Sequence, residues 1–270
     1  MEKETFEAFQ EIAYQKAGIF LRPGKAALVQ ARLAKRLREL GLASEREYLA
    51  RLRTDGEDEL VLFLDAISTN FTKFFREEDH FDTLAEDVRA LLGAGQERFR
   101  FWCAGCSSGE EPYTAAMVLE PLLRGRDWRI LATDISTRVL ARAAEGIYGE
   151  EEVEPIPQGL RRQYLESAGT DEGGPRWVIS GRLRERIVFH RLNLANRPYA
   201  MKGPLDAVFC RNVMIYFDRP MRAGLVGQIE RLLRPGAHLF IGHSETLNGI
   251  ESQLRSERPS VYRLPAEVVK

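Results

Sequence analysis

No apolar run in the 270 residues approaches the ~20 that a membrane-spanning helix needs. The opening stretch, MEKETFEAFQEIAYQ, is charged and helix-patterned, whereas a secretory leader carries an apolar core. These absences predict a cytoplasmic protein that is not inserted in a membrane. Cysteine is scarce: Cys103, Cys106 and Cys210 are the whole supply, which points to three buried, reduced thiols rather than a disulfide framework. Four histidines show no zinc-ligand spacing with them, so no metal is expected. Neither G-x-G-x-x-G nor G-x-x-x-x-G-K-[ST] occurs, which removes the dinucleotide and P-loop fingerprints. Internal repeats and low-complexity tracts are missing too.

What is present is an ordinary globular composition, 44% hydrophobic and 29% charged, with its charge unevenly placed. The net charge is −1, yet Arg22 to Arg53 holds nine basic and three acidic residues, which leaves −7 for the remainder. That asymmetry predicts a local anionic partner. The first ~65 residues read as helices only. Phe6, Phe9, Ile12 and Ala13 recur at helical spacing up to Gly18. Lys25 to Leu40 forms a second helix, with Val29, Leu33, Leu37 and Leu40 on one face. Ser44 and Glu47 predict a capping box for a third, and DELVLFLDAI supplies a fourth.

Beyond these, helix Glu77–Leu92 leads into alternating strands (Phe99–Cys103, Trp128–Thr133, Ile187–Leu192, Leu205–Cys210, Ala237–Gly242, Ser260–Leu264) and helices (Glu111–Arg124, Thr137–Glu145, Arg219–Leu233). The alternation predicts a doubly wound, mainly parallel sheet. Residues 146–181 break the rhythm with a short helix near Leu160–Ser167 and the strand-like RWVIS, and predict an inserted β-subdomain. The expected organisation is a helical N-terminal domain over 1–70 and an α/β domain over 71–270.

The stretch CAGCSSGEEPY (103–113) is a strand–glycine turn–helix junction, the usual cradle for a nucleotide, but it carries two glutamates. At an effective dielectric of 20, like charges ~5 Å apart repel by about 3 kcal/mol, so Glu110 and Glu111 oppose a pyrophosphate and favour a cation. Acids also cap helix N-termini unaided, and which glutamate faces a ligand stays open at this point. A thioredoxin-like reading of Cys103-x-x-Cys106 conflicts with the further βα units. The nucleotide-like ligand with a positive charge and no phosphate is S-adenosylmethionine (SAM). It calls for a second acid after the next strand to hold the ribose, and RILATD ends in Asp134.

With STNFTKFFRE (68–77), GCSSGEEPY (105–113), ATDIS (132–136), FCRNVMIYFD (209–218) and GHSE (242–245) in this order, the chain resembles the CheR-type chemotaxis receptor methyltransferases over nearly its whole length. The resemblance implies a small all-helical domain followed by a Rossmann-like SAM-dependent methyltransferase domain with a β insertion. It implies that Asn70, Thr72 and Arg76 reach the cofactor from the inter-domain segment. Glu111 is expected to take its amino group, Asp134 the ribose, and Asn193 with Leu194 the adenine; Arg211 and Asn212 complete the wall. Arg76 and Tyr216 are expected beside the transferred methyl, as the catalytic pair. The acceptor is a glutamate carboxylate of a methyl-accepting receptor and the product S-adenosylhomocysteine (SAH).

The basic helix then acquires a partner, with Lys25, Arg32, Lys35 and Arg36 as a docking face for the acidic helical region of receptors. Nucleic acid is not expected, since no aromatics interleave with the cluster, and the chain is expected to be a monomer. The loop SAGTDEGGPRW (167–177) lacks the clean glycine alternation of family members that tether to a receptor pentapeptide, so tethering is not expected. Two readings compete: a SAM methyltransferase acting on a different carboxylate or protein, and a SAM-binding module that docks without turnover.

Overall fold

In the computed structural model, which describes residues 1–54, 56–68 and 71–266, the N-terminal stretch folds as α1 (Lys3–Ala17), α2 (Ala26–Leu40), α3 (Glu45–Thr54) and α4 (Gly56–Ile67). The periodic apolar residues of the sequence meet in one core. Phe9, Tyr48 and Phe63 are fully buried, and the rings of Phe9 and Phe63 stack at 5.3 Å. α3 begins at the expected box: Glu47 N–H donates to Ser44 Oγ at 3.3 Å, and the Glu47 carboxylate accepts from Ala43 N–H at 3.1 Å.

The second part runs α5 (Asp79–Gly93), β1 (Arg98–Ala104), α6 (Glu110–Leu122), β2 (Asp127–Asp134), α7 (Thr137–Glu145), β3 (Ile147–Gly149), α8 (Glu150–Val153), α9 (Gln158–Tyr164), β4 (Leu165–Asp171), β5 (Gly174–Ile179), α10 (Gly181–Arg184), β6 (Ile187–Arg191), β7 (Leu205–Cys210), α11 (Arg219–Leu232), β8 (Leu233–Ile241), β9 (Arg255–Arg258) and β10 (Val261–Arg263). The main sheet has the order β6-β2-β1-β7-β8-β10-β9. Strands β6, β2, β1, β7 and β8 pair in parallel, while β10 pairs antiparallel with β8 and β9. This is the doubly wound, Rossmann-like sheet that the alternation predicts. Strand order departs in opposite directions from β1, toward β2 on one side and β7 on the other. A doubly wound sheet opens its ligand crevice at that switch, beyond the carboxyl ends of the strands.

Within the stretch that breaks the βα rhythm, β3, β5 and β4 form a separate antiparallel sheet. One expectation is corrected there. The helix anticipated to Ser167 stops at Tyr164, because Leu165 turns extended (φ −112°, ψ 140°) and pairs with Ile179. Three strands escape sequence reading. β3 has three residues, β4 is exposed at every position after Leu165, and β9 is exposed at all four, so none carries an apolar alternation.

His238 on β8 clasps two elements: Nδ1 lies 2.6 Å from Asp87 of α5 and Nε2 lies 2.7 Å from Glu257 of β9. Burial disfavours its charge, but the two carboxylates outweigh burial and raise its pKa. Because the folded pKa lies above the unfolded one, the clasp stabilises fully below about pH 6.5. That contribution is lost as pH rises through the raised value. Urea unfolding of His238→Asn should therefore show a deficit at pH 6 that closes by pH 9. A deficit that grows with pH contradicts the assignment.

Candidate active site

The turn between β1 and α6 needs its glycines for packing. Gly105 has φ +78°, and a Cβ there would lie 2.4 Å from Val213 Cγ2. Gly109 has φ +99°, and its Cβ would lie 2.9 Å from both Ala143 Cβ and the Tyr148 hydroxyl. Gly105 thus lets the loop after β7 close against the turn after β1. Asp134, at the end of β2, pins this turn: Oδ2 accepts Ser107 N–H at 2.9 Å and Oδ1 accepts Ser136 N–H at 3.0 Å. Burial pushes its carboxyl upward, and these two N–H groups oppose the shift.

At the switch point lies one cavity lined by Thr72, Arg76, Glu111, Asp134, Asn193, Leu194, Arg211, Asn212 and Tyr216. These residues, dispersed over 145 positions of the chain, share a single recess; Asn70 lies outside the described residues. The side chain of Asn193 is held by the protein at both ends. Its Nδ2 donates to the Lys16 carbonyl at 2.6 Å, and its Oδ1 accepts Ala195 N–H at 2.9 Å. Leu194 packs in the apolar cluster under β7 and β8.

The two glutamates diverge. Glu110 is absent from the cavity wall and accepts the Ser108 hydroxyl on both oxygens, at 2.9 and 2.8 Å. Glu111 faces the cavity, where Arg211 Nη1 donates to its Oε2 at 3.3 Å. The Arg211 side chain is only 2% exposed and spans a second acid, with Nε and Nη2 at 3.2 and 3.0 Å from Glu77 Oε2. Nη2 also donates to the Arg76 carbonyl. Burial raises the Glu111 pKa, with Arg211 opposing. Burial works the same way on Glu77, but the charge of Arg211 and the His243 N–H outweigh it and hold that carboxyl low. Arg76 Nε also lies 4.0 Å from Glu77 Oε1, so the two carboxylates share two guanidiniums. Glu111 and Asp134 are the carboxylates these motifs bring to the cavity wall, and a carboxylate there suits an ammonium.

Arg76 donates from Nη1 to the Phe71 carbonyl at 3.0 Å, and its guanidinium lies 5.7 Å from the Phe71 ring centre. The backbone on either side of it is strained, with φ +54° at Phe75 and +56° at Glu77. Phe75 N–H donates to Thr114 Oγ1 at 3.2 Å, which ties this segment to α6. Tyr216 ends a short turn, Met214–Tyr216, and its carbonyl accepts Phe20 N–H at 2.7 Å, so the helical part and the sheet meet at this residue. The turn is held by a residue whose role sequence reasoning missed. Buried Glu245 accepts the N–H groups of Gly242, Asn212 and Ile215 at 2.6, 2.8 and 3.1 Å. It fixes Asn212 in a left-handed conformation (φ +59°). Glu77 was missed likewise; each lay inside a quoted motif, but only the fold reveals its partner.

A second groove shares Phe71, Arg76, Asn212 and Tyr216 with the cavity and runs on past Phe20, Arg22, Lys25, Leu28, Arg32 and Ile215. Lys25 and Arg32 thus face it, and Arg32 Nη1 also donates to the Ile67 carbonyl. Arg36, expected in the docking face, does not line the groove. Its Nε and Nη2 donate to buried Glu59 at 3.0 and 2.6 Å, and Tyr48 donates to the same carboxylate at 2.7 Å. Arg36 therefore ties α2 to α4 and neutralises a buried acid. Lys35 stands outside the groove, 79% exposed and 3.9 Å from Glu39. The three thiols are free and buried, and burial pushes their pKa values up, which suits inert core cysteines.

Curated proteins are similar to the chain over nearly its whole length. The chain is 39% identical over 264 residues to the chemotaxis protein methyltransferase of Escherichia coli K12, covering 96% of this chain and 90% of that protein. It is 40% identical to chemotaxis protein methyltransferase 2 of Pseudomonas aeruginosa, covering 96% and 92%. The chemotaxis protein methyltransferase of Borreliella burgdorferi is 36% identical, with 97% and 94% covered. Two family models match in tandem: the CheR methyltransferase all-alpha domain over residues 4–68 and the CheR methyltransferase SAM-binding domain over residues 70–262. The chain belongs to the CheR methyltransferase family.

Proposed function

We propose that the protein transfers the methyl group of SAM to glutamate side chains of chemotaxis receptors, forming glutamate methyl esters and SAH. The observation that carries this reading is the contact of two recesses of opposite character across a shared wall. One is the cavity with the carboxylates of Glu111 and Asp134 on its wall; the other is the groove with Arg22, Lys25 and Arg32. The first suits a cation, the second an acidic helix. The names of the curated relatives support the same reading.

The cavity fits the cofactor by its donor set: Glu111 for the amino group and Asp134, with lone pairs to spare beyond two backbone N–H bonds, for the ribose hydroxyls. SAM, when bound, supplies an electrophilic methyl group and departs as a neutral thioether. An acceptor carboxylate with a pKa near ~4.3 is already ionised at neutral pH, so no general base is required. Its oxygen gives the electron pair of the new ester bond, and no proton moves. The protein's contribution is then alignment and exclusion of water from two reacting charges that cancel. Arg76, 29% exposed at the junction of the recesses, steers the carboxylate, and Tyr216 orients it.

A receptor fragment incubated with methyl-tritiated SAM should acquire label that mild alkali releases as methanol. Alkali-stable label, or none, contradicts ester formation. The groove carries a separate expectation. Arg22 and Lys25 are exposed, and reversing both to glutamate should lower kcat/KM for receptor methylation roughly tenfold at low salt. It should also flatten the salt dependence and leave SAM affinity unchanged. Unaltered kinetics at low ionic strength would remove the groove from receptor docking.

A further inference from the structure

The histidines near the β8 end of the sheet are treated in opposite ways. His238 has both ring nitrogens matched to carboxylates. His80 is fully buried, and neither of its ring nitrogens has a partner. An imidazole presents a donor or a lone pair at each nitrogen, and each unmatched buried group costs ~1–3 kcal/mol. Such an orphan calls for a ligand. Glu77 Oε2 lies 3.7 Å from His80 Nδ1, and the His243 ring meets the His80 ring edge-on with centroids 4.9 Å apart. Among the described residues, Glu77, His80 and His243 each bring a donor atom within 4.8 Å of the others'.

We infer that Glu77, His80 and His243 form a binding site for a first-row divalent metal ion such as zinc or cobalt. Two imidazoles and a carboxylate are the donor set such ions prefer, and calcium or magnesium would seek oxygen ligands alone. Metal–ligand distances of ~2.0–2.2 Å require the donors to draw together. His243 is able to do so, being 48% exposed. One of its nitrogens, Nε2, lies 3.2 Å from Asp79 Oδ1, leaving the other for the ion. A carboxylate behind a ligating histidine is the arrangement that fixes imidazole orientation at metal centres. Glu77 offers Oε1 to the ion: it accepts the His243 N–H at 3.3 Å and lies 4.0 Å from Arg76 Nε, beyond hydrogen-bond reach, while Arg211 occupies Oε2. The positive charges of Arg211 and Arg76 beside the same carboxylate weaken the affinity.

The site was invisible in sequence because 163 residues separate His80 from His243. The test uses the full, tag-free, chelator-treated chain, titrated with zinc sulfate by calorimetry and with cobalt chloride by visible absorption. One saturable equivalent and cobalt d–d bands are expected. His243→Ala should lower the affinity at least about tenfold, whereas His190→Ala should match wild type. Absence of saturable binding, or His243→Ala binding like wild type, overturns the site. Loss of binding in His190→Ala does the same by placing the ion elsewhere. These readouts report metal binding alone and are independent of methyl transfer.

Discussion

Replacing Arg211 with methionine should lower folding stability by about 3–5 kcal/mol, the usual cost of leaving a buried charge without its partner. Methionine fills similar space and keeps the contact with Phe81, whose ring centre lies 5.3 Å from the guanidinium. What disappears is the guanidinium that bonds both Glu77 and Glu111, leaving Arg76, 4.0 Å from Glu77, as a weaker partner. The two carboxylates would then be disfavoured in their charged forms, so their folded pKa values rise above the unfolded ones. The sign follows: the deficit should be largest above neutral pH and shrink on acidification, as the carboxyls take up protons. Urea midpoints at pH 8 and pH 5 report both effects. A loss below about 1 kcal/mol would show the pair to be screened and unimportant.

Glu111→Gln should leave the fold intact and weaken SAM binding by a factor of ten to one hundred. This corresponds to losing a charge-assisted hydrogen bond worth about 1.5–3 kcal/mol. The amide retains an oxygen for Arg211 Nη1, which now lies 3.3 Å from Glu111 Oε2, so the effect isolates charge from shape. SAM and SAH should lose alike, because both carry the amino-acid ammonium but only SAM carries the sulfonium. A loss confined to SAM would put Glu111 at the sulfonium instead. An unchanged affinity for both would leave the acid without a cofactor role, like Glu110, whose oxygens accept the Ser108 hydroxyl.

Residue type and local position made part of this legible before any coordinates. Acids after the first and second strands of an α/β unit have few uses, and the fold brings Glu111 and Asp134 to one wall. The parallel strands β1, β2, β6 and β7 were readable from their short apolar runs, and the order was clearest where α6 and α7 follow β1 and β2. The remainder depends on pairings that no local pattern encodes. Arg211 reads as wall lining until its partners 134 and 100 residues away are known. Arg36 looks like a surface cation on a basic helix, yet Glu59 from α4 closes over it, and the choice between them is made by tertiary packing. Glu245 is silent for the same reason, since its ligands are backbone N–H groups, which have no sequence identity.

On this reading the recess beyond β1 accepts an adenosine bearing positive charge and rejects polyanions. Calorimetric titration of the wild-type chain with SAH, ATP and NAD in the same buffer tests it most directly. Saturable one-to-one binding of SAH, with no heat from ATP or NAD at matched concentration, is the predicted result; tight binding of ATP or NAD with none of SAH would contradict it.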